Sequence, residues 1–437
     1  MMPEVDDVRN DAVWFEPDPD GFGPLLEVIG DARLVLIGEA SHGTHEFYRT
    51  RAELTKALIT RKAFTLVAVE ADWPDAYRVN RWVRGVSAGP AKDEALADFT
   101  RFPRWMWRNT DVVEFIEWLR GSNERRPEQE RVGFYGLDLY SLHRSIDAVL
   151  AYLGKVDPDG AALARERYSC FEMFGEDPQA YGYASTRGIS RDCEDEVTSQ
   201  LVELRRQAME YASRDGRVAA DEYFFAEQNA RLVANAETYY RAMFGSRADA
   251  WNVRDRHMME TLVSLLTHAG PHSKAVVWAH NSHLGDARAT EMSAAGELNL
   301  GQLVRERFGD DAFLIGFTTH TGTVTASRNW DDPAERRHVR PSLPGSYERL
   351  FHETGLAQFL LLLRQGAARQ ALWTERLERA IGVIYRPETE RRSHYFRARL
   401  PQQFDAVFHI DRTSALEPLE RWAFDEADLP ETYPSGV

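Results

Sequence analysis

Leu34-Val-Leu-Ile-Gly-Glu-Ala-Ser-His-Gly-Thr-His-Glu46 is the stretch that decides how this chain is read. Its four leading apolar residues have the character of a strand buried on both faces, and Gly38 ends the run. Two acids and two histidines follow within eight positions: Glu39, His42, His45 and Glu46. A buried strand that passes through a turn into a helix sets such side chains at the carboxyl rim of a parallel sheet. That rim is where open α/β folds bind their ligands.

Outward from this stretch, strand and helix alternate. Residues 32–38 are predicted as the first strand, after some thirty irregular residues, and Thr44 to about Arg61 as a helix carrying Phe47, Leu54, Ala57 and Leu58 at helical spacing. A second strand over 64–69 runs into Glu70-Ala-Asp72, and Pro74 suits the first turn of the helix after it. Trp105-Met-Trp107 leads to a helix with its start at Thr110 and Glu114 placed as a capping-box acid. A third strand over 131–137 ends in Asp138. Such alternation signals βαβ units and a parallel sheet. From about 157 to 268 strand character disappears and long helical runs take over. It returns at 274–279, ahead of His280-Asn-Ser-His283. Residues 312–318 and 322–326 suggest an antiparallel hairpin, 382–385 and 404–410 late strands, and 391–395 a polar loop. The expected fold is therefore α/β, a mostly parallel central sheet flanked by helices with a large helical insertion. Residues 1–155 and 271–437 form the two parts of the core, and 156–270 form a lid or pocket wall.

A chain of 437 residues with 43% hydrophobic content can bury a substantial core. No apolar run approaches the roughly 18 residues that span a bilayer, and the acidic start lacks the features of a secretory signal. A cytoplasmic protein without membrane contact is expected. The net charge of −16 disfavours a nucleic-acid partner, which needs a basic face. Cys170 and Cys193 are the two cysteines; with no Cys-x-x-Cys pair and no framework, reduced thiols are expected.

Four strand ends thus carry chemistry: Glu39 with His42, Glu70 with Asp72, Asp138, and His280 with His283. Converging in one crevice, they would supply paired carboxylates and imidazoles for acid–base work near neutral pH. Strand-end acids also cap helices, and Arg51 also reads as a solvated helix residue. Two His-x-x-His pairs with Glu39 and Glu70 suit a transition metal as well, although His-Glu-x-x-His is absent. No Gly-x-Ser-x-Gly elbow, P-loop or Gly-x-Gly-x-x-Gly is present, which disfavours serine hydrolases, nucleotidases and nicotinamide enzymes.

The chain resembles the erythromycin esterase family over nearly its whole length. The resemblance rests on Ile37-Gly-Glu-Ala-Ser-His-Gly-Thr-His-Glu-Phe47, Val69-Glu-Ala-Asp-Trp73, Gly136-Leu-Asp-Leu-Tyr140 and Trp278-Ala-His-Asn-Ser-His283, with Asn299-Leu-Gly-Gln302 and Phe404-Asp-Ala-Val-Phe408 behind them. It implies hydrolysis of a carboxylic ester, in the best-known members a macrolactone, without a covalent serine and without a cofactor or metal. It further implies His42 as base, Glu39 and Glu70 as its partner acids, and Arg51, His280 and His283 as the remaining catalytic set. His45, Asp72, Trp107 and Asp138 are expected to bind the small-molecule ester. A metal-dependent hydrolase and a non-enzymatic polyketide- or sugar-binding protein stay open beside this reading.

Overall fold

The computed structural model describes residues 3–18, 20–86, 92–208, 211, 217–422 and 424–425. In chain order the strands are β1 (Leu34–Ile37), β2 (Leu66–Asp72), β3 (Gly133–Asp138), β4 (Ala275–Trp278), β5 (Ala312–Thr318), β6 (Thr321–Ala326), β7 (Glu335–Val339), β8 (Gln358–Leu362), β9 (Arg376–Arg379), β10 (Tyr395–Ala398), β11 (Ala406–Ile410), β12 (Arg412–Thr413) and β13 (Phe424–Asp425). Seven of them build the central sheet in the order β3-β2-β4-β1-β5-β11-β8. All neighbours in it are parallel except the edge strand β8, which runs antiparallel to β11.

The pleat divides each central strand between two helical layers. Leu34, Leu36, Leu66, Ala68, Ala275 and Val277 point into one apolar core, shared with the helices between residues 142 and 308. Val35, Ile37, Val67, Val69, Val276 and Trp278 point into the other, shared with helices His45–Arg61, Trp73–Val83 and Thr110–Glu124. Strands covered on both faces must be apolar throughout, which is why they stood out in the sequence. The segment expected as an insertion holds helices and connecting loops and, among the described residues, no strand, and its apolar side chains are continuous with the sheet's own core. Among the described residues no helix is long and apolar enough to cross a membrane.

The topology fixes where a site can form. Adjacent strands β1 and β4 send their connections to opposite faces: β1 leads to helix His45–Arg61 in one core, while β4 leads to Leu284, Leu300 and Val304 in the other. A crevice opens at the carboxyl ends of two strands arranged this way. Asn281 crosses it, its N–H donating to the Glu39 carbonyl (2.8 Å) and its amide to the Phe317 carbonyl (2.8 Å). Gly38 makes room for that side chain, since a Cβ there would stand 2.2 Å from Asn281 Oδ1.

Several local expectations are corrected. The first thirty residues are not irregular but contain helices Pro3–Asp11 and Gly23–Ile29. The Thr110 helix is capped by Asn109, whose side chain accepts from the Val112 N–H. β5 and β6 are not a hairpin: β5 belongs to the central sheet, while β6 pairs antiparallel with β7 in a separate four-stranded sheet. The backbone N–H groups of His320 and Thr321 both donate to the Asp411 carbonyl, and this turns the chain out of the central sheet. Residues 382–385 make only an isolated bridge with Ser327, and 391–395 hold a helical turn, Glu390–Ser393, entering β10. The two cysteines are not free thiols. Cys170 and Cys193 lie 6.0 Å apart at Cα and are bonded to each other, brought together by helices packing across 23 residues.

Gly43 is the tightest joint between the β1 loop and the second sheet. Its carbonyl accepts from the Thr325 and Leu416 N–H groups (2.9 Å each), and a Cβ would stand 1.8 Å from the Thr325 carbonyl oxygen. Replacing Gly43 by Ala is therefore expected to destabilise the fold by about 1–3 kcal/mol or more, the usual cost of overpacking. Urea unfolding of the variant would show it as a lower midpoint at unchanged slope.

Candidate active site

The loop after β1 delivers Glu39 and His42, and the loop after β4 delivers His280 and His283. Strand adjacency brings the His42 and His280 rings to 4.8 Å between centroids. His42 Nδ1 lies 2.8 Å from Glu39 Oε1, and Glu39 Oε2 lies 3.1 Å from Arg51 Nη1. Glu39 is 1% exposed, so its charge depends on that guanidinium. An ion-paired carboxylate accepts only, which puts the His42 proton on Nδ1 and leaves the Nε2 lone pair free. Arg51 itself is buried between the rings of Tyr48 (4.4 Å) and Trp278 (4.7 Å) and lines neither of the clefts described below.

His280 has the opposite tautomer. Its Nδ1 accepts from the Ser282 N–H (3.2 Å) and contacts the Ser282 hydroxyl (2.8 Å), so the proton sits on Nε2. That Nε2 is buried without a well-formed hydrogen bond, the Ala40 carbonyl being a nearby acceptor. Burial, with His42 alongside, depresses the His280 pKa to about 3, so the ring is neutral at working pH.

Glu70 lies near the carboxyl end of β2. Its Oε2 accepts from the His280 backbone N–H (2.9 Å), and its Oε1 lies 2.6 Å from Arg254 Nη2 and 3.4 Å from His283 Nε2. Burial alone would raise this carboxyl, but His283, Arg254, His42 and the His280 N–H together hold it far below the usual carboxylate range. Glu70 is thus a fixed anion and a very weak base. Asp138, at the end of β3, is likewise held below its usual value against burial by Arg254. Asp72 accepts both Nε (3.0 Å) and Nη2 (2.9 Å) of Arg101, yet burial raises its pKa.

Two clefts meet at His42. The larger, about 510 Å³, is bordered by His42, Trp251, His280, His283, Val383 and Tyr395. The smaller, about 120 Å³, is bordered by His42, Glu70, Asp72, Trp107, Asp138 and Tyr140. Seven of the ten sequence-derived residues border these clefts, and Glu39 stands behind His42. Arg51 stands behind Glu39, and His45 is turned to Asp111 of the neighbouring helix (Nδ1···Oδ2 2.9 Å) and borders neither cleft. Sequence reasoning missed Trp251, Arg254 and Asp255 of helix Arg247–Ala269. Trp251 lies flat on the His283 ring at 4.4 Å and 6°. Asp255 contacts His283 Nδ1 at 2.9 Å. A signal existed: Asp255 sits on the stripe of Met258, Met259, Leu262, Leu265 and Leu266, a charge on an otherwise buried face. Among the described residues no three His, Cys, Asp or Glu side chains are arranged to hold a metal ion.

A sequence model of the erythromycin esterase family matches residues 59–413. An erythromycin esterase type II from Escherichia coli is 22% identical over 91% of this chain and 94% of its own length. The type I enzyme from the same species is 25% identical over 72% and 77%. Among solved structures, a succinoglycan biosynthesis protein superposes with a TM-score of 0.75 at 22% identity, covering 95% of this chain and 97% of the other. A mutant erythromycin esterase in its open conformation superposes with a TM-score of 0.69 at 18% identity over 91% and 95%.

Removing Arg51 leaves Glu39 charged and buried. The Arg51→Ala variant is expected to lose about 3–5 kcal/mol, the usual result of breaking a buried pair from one side. The double variant Arg51→Met/Glu39→Leu should recover much of that stability in thermal unfolding, because it removes both charges together.

Proposed function

This chain belongs to the erythromycin esterase family, whose members support a hydrolase role, and we propose that it hydrolyses a carboxylic ester by direct attack of water. The observation that carries the reading is the pair of complementary imidazoles at the junction of the clefts. His42 offers a lone pair at Nε2 and His280 an N–H at Nε2, 4.8 Å apart between ring centres. One suits a base for water and the other a donor to the ester carbonyl.

In this mechanism water lies against His42 and the ester carbonyl oxygen against His280 Nε2. The water oxygen bonds to the carbonyl carbon while its proton passes to His42 Nε2. The negative charge collects on the former carbonyl oxygen and is met by the His280 N–H. Glu39 holds the His42 ring by its Nδ1–H and stabilises the imidazolium. The intermediate then collapses, the carbon–oxygen bond to the alcohol breaks, and the His42 proton passes to the leaving oxygen. A carboxylic acid and an alcohol result, and the base is regenerated. Glu70 is too acidic to compete as base; it anchors the His280 backbone instead. The curated relatives named erythromycin esterases support a macrolactone as substrate, and the larger cleft, bordered by Trp251, Met292 and Phe396, offers apolar walls for one.

The test is a panel of macrolactones and simple esters, erythromycin included, read by mass spectrometry for the gain of one water. With a turned-over ester, a single turnover in heavy-oxygen water should place label in the acid product. Unlabelled acid would mean a side-chain nucleophile and end the proposal. His42→Asn should slow the reaction at least about a hundredfold. His280→Gln should cost about 10²–10³ in kcat. Because His280 is neutral down to about pH 3, that variant should keep the wild-type shape of the pH–rate profile above pH 4. Activity should survive chelation; loss with chelator and recovery with added zinc would favour a metal mechanism.

A further inference from the structure

The geometry points to Arg254 as the positioning residue of this site, acting through Glu70 on His280, and to His283 as its imidazole strut and not a group that acts on substrate. This rests on the esterase reading above. Arg254 comes from helix Arg247–Ala269, outside the sheet, and reaches three strand ends at once. Its Nε and Nη2 donate to the two Asp138 oxygens (2.9 and 2.7 Å), Nη2 also to Glu70 Oε1 (2.6 Å), and Nη1 to His283 Nε2 (2.9 Å). Its guanidinium carbon lies 5.0 Å from the centre of the Tyr140 ring.

The His283 ring is consumed by these contacts. Nε2 lies 2.9 Å from Arg254 Nη1 and 3.4 Å from Glu70 Oε1, and Nδ1 lies 2.9 Å from Asp255. Trp251 covers one face of the ring. Neither nitrogen remains for a substrate oxygen. Asp255 is fixed in turn by the Leu300 N–H (2.8 Å). The path from helix to reacting atoms therefore runs from Arg254 to Glu70 Oε1, and from Glu70 Oε2 to the backbone N–H from which the His280 ring projects. Arg254 also keeps two buried carboxylates, Glu70 and Asp138, ionised side by side. Without it, one of them gains a proton and the Glu70 anchor loosens.

The experiment uses full-length protein with 4-nitrophenyl acetate as probe. Arg254→Ala is expected to lower kcat about ten- to a hundredfold, the range for groups that orient a reacting ligand, with a much smaller change in KM. It should gain an acid limb in its pH–rate profile, because the Glu70 carboxyl now titrates, and guanidinium added to the assay should restore part of kcat. Arg254→Lys, which keeps the charge and loses the fork, should stay impaired. Thermal unfolding gives an arm independent of turnover. In the wild type Glu70 is depressed, so its stabilisation is present above its unfolded value and lost as pH falls. In Arg254→Ala the folded value is raised, so the variant's deficit should widen as pH rises, and adding Glu70→Gln should narrow it. A deficit independent of pH, with no guanidinium rescue and with kcat unchanged, would overturn the inference. A wild type that hydrolyses none of the esters, with the pH-dependent deficit still observed, would overturn the esterase reading and leave the Arg254 linkage standing.

Discussion

The buried charge of Glu39 is the constraint on which the site depends. A carboxylate 1% exposed must be compensated from within, and it is met on one oxygen by Arg51 and on the other by His42. The two partners serve different ends. Arg51, wedged between Tyr48 and Trp278, makes the charge tolerable and immobile. His42 then inherits a fixed tautomer and orientation. The ion pair lies where helix His45–Arg61 meets β4, so packing of the apolar core and orientation of the base are one event.

The central sheet was legible because its strands are sealed on both faces, and sealed strands admit polar residues only at their ends. Glu39, Glu70, Asp138 and His280 were visible for that reason. Their mutual placement was not, since it needs β4 between β2 and β1, an order no local pattern encodes. His45, expected at the substrate, borders neither cleft. The turn from Ser41 to Thr44 is not helical, so three residues past His42 is no shared face, and the helix that begins at His45 sends its ring to Asp111. Arg51 read as a surface residue or a member of the catalytic set because burial between two aromatic rings leaves no trace in one helix's sequence.

Arg254 and Asp255 were missed for another reason. They sit within a helix, far in sequence from the strand ends where polar residues stand out. The stripe of apolar residues from Met258 to Leu266 extends back to Asp255, and a charge on such a stripe needs a partner. The hairpin expectation at residues 312–326 failed on hydrogen bonding to a distant carbonyl, that of Asp411, and the free-thiol expectation failed on helix packing. Both are tertiary facts imposed on locally ambiguous sequence.

The position of β4 also dictates an order of assembly. β1 and β2 are not neighbours; each pairs with β4, which enters the sequence only at Ala275, after the long helical segment. Until it inserts, the two strands face each other across a gap, with unsatisfied backbone groups along both edges. Such long-range pairing is slow, and exposed edges invite association between chains. During synthesis the first half of the protein must therefore wait, incomplete, for a strand that arrives some two hundred residues after β2. Chains stalled or truncated before Ala275 should be the aggregation-prone species, and their number should fall when synthesis through the helical segment is fast.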